Sequence, residues 1–196
     1  VDSTGRLLDG DELIYIIAAH RQQKGQLQGG VAGTVMSNFG LEKALNQLDI
    51  PFCRTNVGDR YVTEALLNRG WQLGGEASGH VLCLDLASTG DAIVAALQVL
   101  LAVTDSGLPI HELLDGMRKL PQVMVNVEVP DPRAVAECEP LGKAIVEKEQ
   151  TLASRGRILV RASGTEPLLR VMVEGDDPEE VREIANELAY VAQNFC

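Results

Sequence analysis

Apolar and polar positions follow one pattern up to about residue 117 and another after it. In the first part, short apolar runs alternate with stretches of helical spacing. Residues 13–19 are apolar-periodic, and Asp9-Gly10-Asp11 before them reads as a turn and helix N-terminus, where carboxylates favour the positive dipole end. Residues 29–36 (GGVAGTVM) read as a buried strand, followed by a Ser37-Asn38 cap and a helix over 39–48. A second strand is expected over 51–57. A second helix opens at Gly58-Asp59-Arg60 and stops at Gly70. Residues 71–75 and 81–86 read as strands. Thr89-Gly90-Asp91 then starts a helix to about residue 104, so rich in Leu, Val and Ala that burial on most sides is expected. A short helix over 110–117 precedes a hinge.

The second part begins with strict alternation over 122–129, a strand with one wet face. Residues 133–154 are helical in composition and interrupted at Pro140. Two strand-like runs follow, 157–161 and 168–174, joined by the loop 162–167. A final helix over 178–193 has Asp177 as its cap. The predicted fold is an α/β domain, a mixed sheet with flanking helices, over residues 1–118. A small α+β domain with a mostly antiparallel sheet follows over 119–196.

Composition narrows the function. The apolar fraction is 45%, enough for a core, and the net charge of −11 argues against a general nucleic-acid binder. A local cluster of arginines can still make an anion pocket on an acidic chain. Cys53, Cys83, Cys138 and Cys196 are widely spaced without a CxxC pair, and read as free thiols rather than a disulfide framework or zinc site. No apolar run approaches the roughly 18 residues of a membrane span. The opening VDSTGRLLDG reads as the end of a hairpin already under way, so a fragment is expected. Asp9 and Asp11 alone are a weak metal signal.

Two loops carry candidate chemistry. In Arg161-Ala-Ser163-Gly164-Thr165-Glu-Pro167, followed by Arg170, turn amides, two hydroxyls and guanidinium groups can hold a phosphate. Gly164 is expected to adopt a backbone shape that other residues avoid. An ordinary polar hairpin turn is the plain alternative. In Gly75-Glu76-Ala-Ser78-Gly79-His80, a carboxylate, a hydroxyl and an imidazole can read sugar hydroxyls, although a solvated turn has the same composition. Ser78 lacks the GxSxG context of a hydrolase nucleophile. In an α/β layout, Ser37-Asn38, Gly58-Asp59-Arg60 and the 75–80 loop would all border the ligand crevice.

With these motifs in view, the chain resembles the α-D-phosphohexomutase superfamily, in its hexosamine-phosphate branch. Gly33-Thr34-Val-Met-Ser37-Asn38 and Val57-Gly58-Asp59-Arg60-Tyr61-Val62 add to the match. The resemblance implies a four-domain enzyme of which this chain is domains three and four, the last with a TATA-box-binding-protein-like fold. It implies an isomerase that works through a phosphoserine and a bisphosphate, with the serine and the Mg2+ loop in the absent domains. It makes Arg161, Ser163, Gly164, Thr165 and Arg170 the holders of the non-reacting phosphate. Glu76, Ser78, His80 and Gly58 become the sugar-binding set. Asp59 and Arg60 face the reacting end, with Asp59 a candidate general acid/base. The implied partners are a hexosamine phosphate and the missing N-terminal domains. A cytoplasmic location and a homodimer are compatible with it, and neither nucleic acid nor membrane is. A phosphomannomutase/phosphoglucomutase and a non-catalytic sugar-phosphate-binding module remain the alternatives.

Overall fold

The computed structural model describes residues 1–164 and 166–196, which form two compact units, Val1–Lys119 and Leu120–Cys196. In the first unit, α1 (Gly10–Gln23) starts at a reciprocal cap. The Asp9 carboxylate accepts from the Glu12 amide at 3.2 Å, and Glu12 accepts from the Asp9 amide at 3.0 Å. Two amides that the helix cannot satisfy internally are thereby paired. Next come β1 (Val31–Thr34), α2 (Phe39–Gln47), β2 (Phe52–Thr55), α3 (Asp59–Arg69), β3 (Leu73–Gly75), β4 (Val81–Cys83) and α4 (Ala92–Ser106). The sheet order is β2-β1-β3-β4. β1 runs parallel to β2 and β3, and β4 is antiparallel to β3.

Side chains alternate across this sheet, as the two-residue period requires. Val31, Leu73, Val81 and Cys83 pack with Ile14, Leu41, Leu45 and Val99 from α1, α2 and α4. Ala32 and Leu82 point the other way, onto Val62 and Leu66 of α3. Helices therefore cover both faces, and the loops after β2 and β3 are fixed at their strand ends. α3 and α4 both stop at a left-handed glycine, Gly70 at φ 66° and Gly107 at φ 68°.

Several expectations need correction. Residues 1–8 form a turn, with Asp2 Oδ1 accepting from the Thr4 and Arg6 amides, and contain no strand. Residues 110–117 make only a one-turn 3-10 segment, Glu112–Leu114, because the following Gly116 at φ 99° reverses the chain. Ser37 and Asn38 are buried and committed internally rather than offered to a crevice. Ser37 Oγ accepts from the Thr34 amide, Asn38 Oδ1 caps Gly40, and the Asn38 amide donates to Asp11 Oδ2 at 2.8 Å. α4 is not buried on most sides: Ala95, Val99 and Ala102 enter the core, while Ile93, Leu97, Leu100 and Leu101 are exposed.

The second unit contains β5 (Gln122–Glu128), α5 (Pro132–Ala136), α6 (Glu139–Leu152), β6 (Gly156–Ala162), β7 (Leu168–Gly175) and α7 (Pro178–Asn194). Its three strands are antiparallel in the order β5-β7-β6. Leu169, Val171 and Val173 of the central strand pack on Val181, Ile184, Ala185 and Leu188 of α7. Each such aliphatic burial contributes on the order of 1.5–3 kcal/mol. The alternate residues, Arg170, Met172 and Glu174, lie on the opposite face. There Glu174 is fully buried and accepts from Arg157 Nε at 2.5 Å. The helical stretch breaks at Cys138, which is extended, while Pro140 is accommodated in the first turn of α6.

Cys138 and Cys196 are joined by a disulfide with Cα atoms 6.0 Å apart, contrary to the free thiols expected. α6 packs along α7, so the residue before one helix meets the residue beyond the other. Spacing of 58 residues carries no hint of that meeting. Cys53 and Cys83 are free.

Asp11 is buried, and its Oδ1 has no hydrogen-bond partner among the described residues. Burial pushes its pKa from 3.8 up to about 6, against the opposing pull of the Asn38 amide and the Ser37 side chain. The protonated form is thus favoured in the fold. The stability it gives is complete below about pH 3.8 and is lost as pH rises through about 6. Asp11→Asn keeps an acceptor for the Asn38 amide and removes the titration. Urea unfolding followed by Trp71, the sole tryptophan, should show the parent losing about 2–3 kcal/mol relative to Asp11→Asn between pH 4 and 7. Parallel stability-versus-pH curves would contradict this assignment.

Candidate functional site

The first cluster lies on the loops that leave β2 and β3. Gly58 sits at φ 127°, a conformation that a side chain strongly disfavours. That shape turns its amide toward Glu76, whose Oε1 accepts at 3.0 Å. The 76–80 loop is closed by two bonds of 3.0 Å, from the Glu76 amide to the His80 carbonyl and from the Gly79 amide to the Glu76 carbonyl. It rests on the start of α1, where the Gly10 amide donates to the Ala77 carbonyl. The approach is so close that a Cβ on Gly10 would lie 2.0 Å from the Glu76 oxygen. The capped helix N-terminus therefore sets where the loop stands.

His80 and Asp59 meet across this cluster, with Nε2 and Oδ2 3.7 Å apart. His80 Nε2 is buried and makes no hydrogen bond among the described residues. Its ring lies against Gly90, where a Cβ would come within 2.3 Å of Nε2. Asp59 Oδ1 accepts from the Arg60 amide at 2.7 Å. The Arg60 guanidinium stacks 4.4 Å above the Tyr61 ring and donates to the Tyr61 hydroxyl. Ser78 is exposed at the loop tip. A cleft of about 400 Å³ opens beside the pair, lined by Asp59, Arg60, Thr63, Leu67, His80 and Gly90. Gly58, Asp59, Glu76 and His80 are thus brought together. Gly90 was legible only as part of a helix start, since nothing local marks it as the floor under an imidazole.

The second cluster lies on β6 and β7. Their register puts Arg161 directly opposite Arg170. Like charges in facing positions repel, so the pair calls for carboxylates or other anions nearby. The Ser163 amide donates to the Leu168 carbonyl at 2.8 Å and closes the loop between the strands. Arg170 Nη2 donates to Glu166 at 2.9 Å. Its Nε and the Ser163 hydroxyl oxygen are buried with no hydrogen-bond partner among the described residues. Two buried polar atoms left this way are costly, and beside facing guanidiniums they suit an oxyanion. Gly164 is not in the left-handed region, and a Cβ there would meet nothing within 4 Å. Its glycine is therefore not demanded by backbone strain, contrary to expectation; what it leaves is open space above the loop. Thr165 lies outside the described residues.

Asp9 and Asp11 do not fit a magnesium site. Asp9 is spent on the α1 cap and an ion pair with Lys119, and Asp11 on the Asn38 amide. Among the described residues, no group of three or more His, Cys, Asp or Glu can hold a metal ion.

Gly58→Ala tests the backbone argument. No atom would block the new methyl closer than 3.4 Å, so the cost is conformational. Denaturant unfolding should show a loss of about 1–3 kcal/mol. An unchanged midpoint would mean that the loop is not held in this shape.

Comparison with known proteins supplies the family. Residues 9–120 match the phosphoglucomutase/phosphomannomutase alpha/beta/alpha domain III, and residues 124–191 match the C-terminal domain of the same family. Phosphoglucosamine mutase of Hahella chejuensis is 51% identical over 193 residues, covering 98% of this chain and 43% of the relative. Phosphoglucosamine mutase of Cellvibrio japonicus is 52% identical, with the same coverage. The chain thus spans less than half the length of these relatives. A crystal structure of N-acetylglucosamine-phosphate mutase in its product complex, a member of the alpha-D-phosphohexomutase superfamily, matches with TM-score 0.78 at 26% identity over 95% of this chain and 44% of that one. Aspergillus fumigatus N-acetylphosphoglucosamine mutase, in complex with GlcNAc-6P and magnesium, shares the fold at TM-score 0.80 and 24% identity, over 96% of this chain and 48% of that one. The chain belongs to the phosphoglucomutase/phosphomannomutase family, over its domain III and its C-terminal domain.

Proposed function

We propose that this chain is the substrate-holding part of a phosphoglucosamine mutase that interconverts glucosamine 6-phosphate and glucosamine 1-phosphate. The identity of about half to curated phosphoglucosamine mutases supports that choice of sugar. The observation that carries the reading is the pair of buried polar atoms, Ser163 Oγ and Arg170 Nε, that have no hydrogen-bond partner among the described residues, on strands that pair Arg161 with Arg170.

In this mechanism a phosphoserine, supplied from outside these residues, gives its phosphoryl group to the free end of the sugar. The bisphosphate turns round, and its other phosphate returns to the serine. One phosphate must be held while the other reacts. Arg161, Ser163, Gly164, Thr165 and Arg170 hold it through charge-assisted hydrogen bonds. Glu76, Ser78 and His80 take the sugar hydroxyls, contacts that serve either orientation of the ring. Gly58 shapes that set by fixing Glu76. Asp59 and Arg60 face the reacting end, Asp59 exchanging a proton with the sugar hydroxyl. Magnesium, held by residues outside this chain, would supply charge stabilisation for phosphoryl transfer. Positioning and charge dominate such transfers, so holding the substrate is a large share of catalysis. The setting is cytoplasmic.

Arg170→Ala in the complete enzyme should lower kcat/KM by roughly ten- to 150-fold, the equivalent of about 1.5–3 kcal/mol for a lost charge-assisted contact. Arg170→Lys should restore only part of this, because an ammonium cannot present two donors in one plane. Wild-type kinetics in a folded Arg170→Ala variant would remove Arg170 from the phosphate site. Turnover of glucosamine 6-phosphate no faster than of glucose or mannose 6-phosphate would overturn the assigned sugar.

A further inference from the structure

α4 carries no charged residue from Ala92 to Thr104. One side of it, Ala95, Val99 and Ala102, is packed into the first unit's core. The other side is equally apolar and faces outward. Ile93 is 74% exposed, Leu97 57%, Leu100 58% and Leu101 43%. Ile93, Leu97 and Leu100 are spaced four and three residues apart, so they form one stripe along the helix. Scattered exposed leucines need no explanation, but a continuous stripe on a helix marks a surface that something covers.

We infer that the outward face of α4 is an internal interface, covered in the complete protein by its own preceding domains. The inference rests on the reading of this chain as part of a longer mutase. Curated relatives are more than twice its length, since it spans 43% of them. The matched models are domain III and the C-terminal domain, so the unmatched length of those relatives precedes domain III. Relative motion between domains of one chain is limited where their interface is large and hydrophobic, and the buried core of an interface is depleted in charge, as this face of α4 is. A second copy fits less well. Each copy carries a charge of −11, and α4 offers no basic residue to offset it: Asp91 caps one end and Asp105 lies at the other.

The test uses the full-length protein with a specific protease site inserted just before Val1. After cleavage, the two wild-type pieces should co-elute on gel filtration. In a Leu97→Glu/Leu100→Glu variant they should separate, while the Trp71 fluorescence melt of the first unit stays within a few degrees of the parent. Should the double variant fail to fold, Leu97→Cys in the intact protein serves instead. Its thiol should react with a maleimide at least tenfold more slowly than a cysteine placed at the exposed Glu147. Separation of the wild-type pieces, co-elution of the variant pieces, or equal maleimide rates at both positions would overturn the inference. A variant whose pieces stay together while a native dimer falls to monomers would make a second copy the occupant. A natural gene product with nothing upstream of Val1, read from its mass alone, would sink the longer-enzyme reading and this inference with it. The other negative results would sink only the inference.

Discussion

Two arginines face each other across β6 and β7 on a chain that is strongly acidic overall. Facing like charges cost free energy, offset at Arg170 by the Glu166 carboxylate, and the second unit holds the pair in place. One face of its sheet is sealed by α7 and α6 over Leu169, Val171 and Val173. That burial leaves the other face free to carry groups that packing alone would reject. Glu174, buried against Arg157, forms an ion pair at one end of the same face, and Arg170 pairs with Glu166 at the end nearer the loop. The unpartnered Ser163 hydroxyl and Arg170 Nε lie at that end. The sheet thus mounts two arginines rigidly beside the 162–167 loop.

The first unit solves a different problem with the same economy. A hydroxyl group has no charge to grasp, so a loop that reads hydroxyls needs donors and acceptors at fixed positions. Fixing them falls to backbone rather than side-chain packing. Gly58 at φ 127° directs an amide at Glu76, Gly10 lets the 76–80 loop sit on the α1 N-terminus, and Gly90 leaves room for the His80 ring. Three glycines from three segments hold one carboxylate and one imidazole.

Much of this was legible in the sequence because the signals are local. Asp9, Asn38, Asp91 and Asp177 all cap the helices that follow them, and Gly70 ends the helix it was expected to end. The change of period near residue 117 marks a change of architecture, since a half-wet antiparallel strand and a buried parallel strand demand different patterns. What escaped the sequence is non-local. An apolar helix reads the same whether its second face meets a core or solvent, so α4 was taken as buried. Cys138 meets Cys196 only because two helices run side by side. Gly90 supports His80 only because the loop before α4 folds back under it. Ser37 and Asn38 follow β1 as ligand-binding residues often do, yet Asp11 reaches across to engage them. Gly164 resembles a strained turn residue but has an ordinary backbone, and its value lies in the space above it.

The central claim is a division of labour, with phosphate on the 161–170 cluster and sugar hydroxyls on the 58–80 cluster. Backbone amide NMR of the chain during titration separates the two directly. Inorganic phosphate should move the resonances of Ser163, Gly164 and Arg170 alone. Glucosamine 6-phosphate should move these and also Gly58, Glu76 and His80. Phosphate-independent resonances at residues 161–170, or sugar-induced shifts confined to other surfaces, would contradict the account.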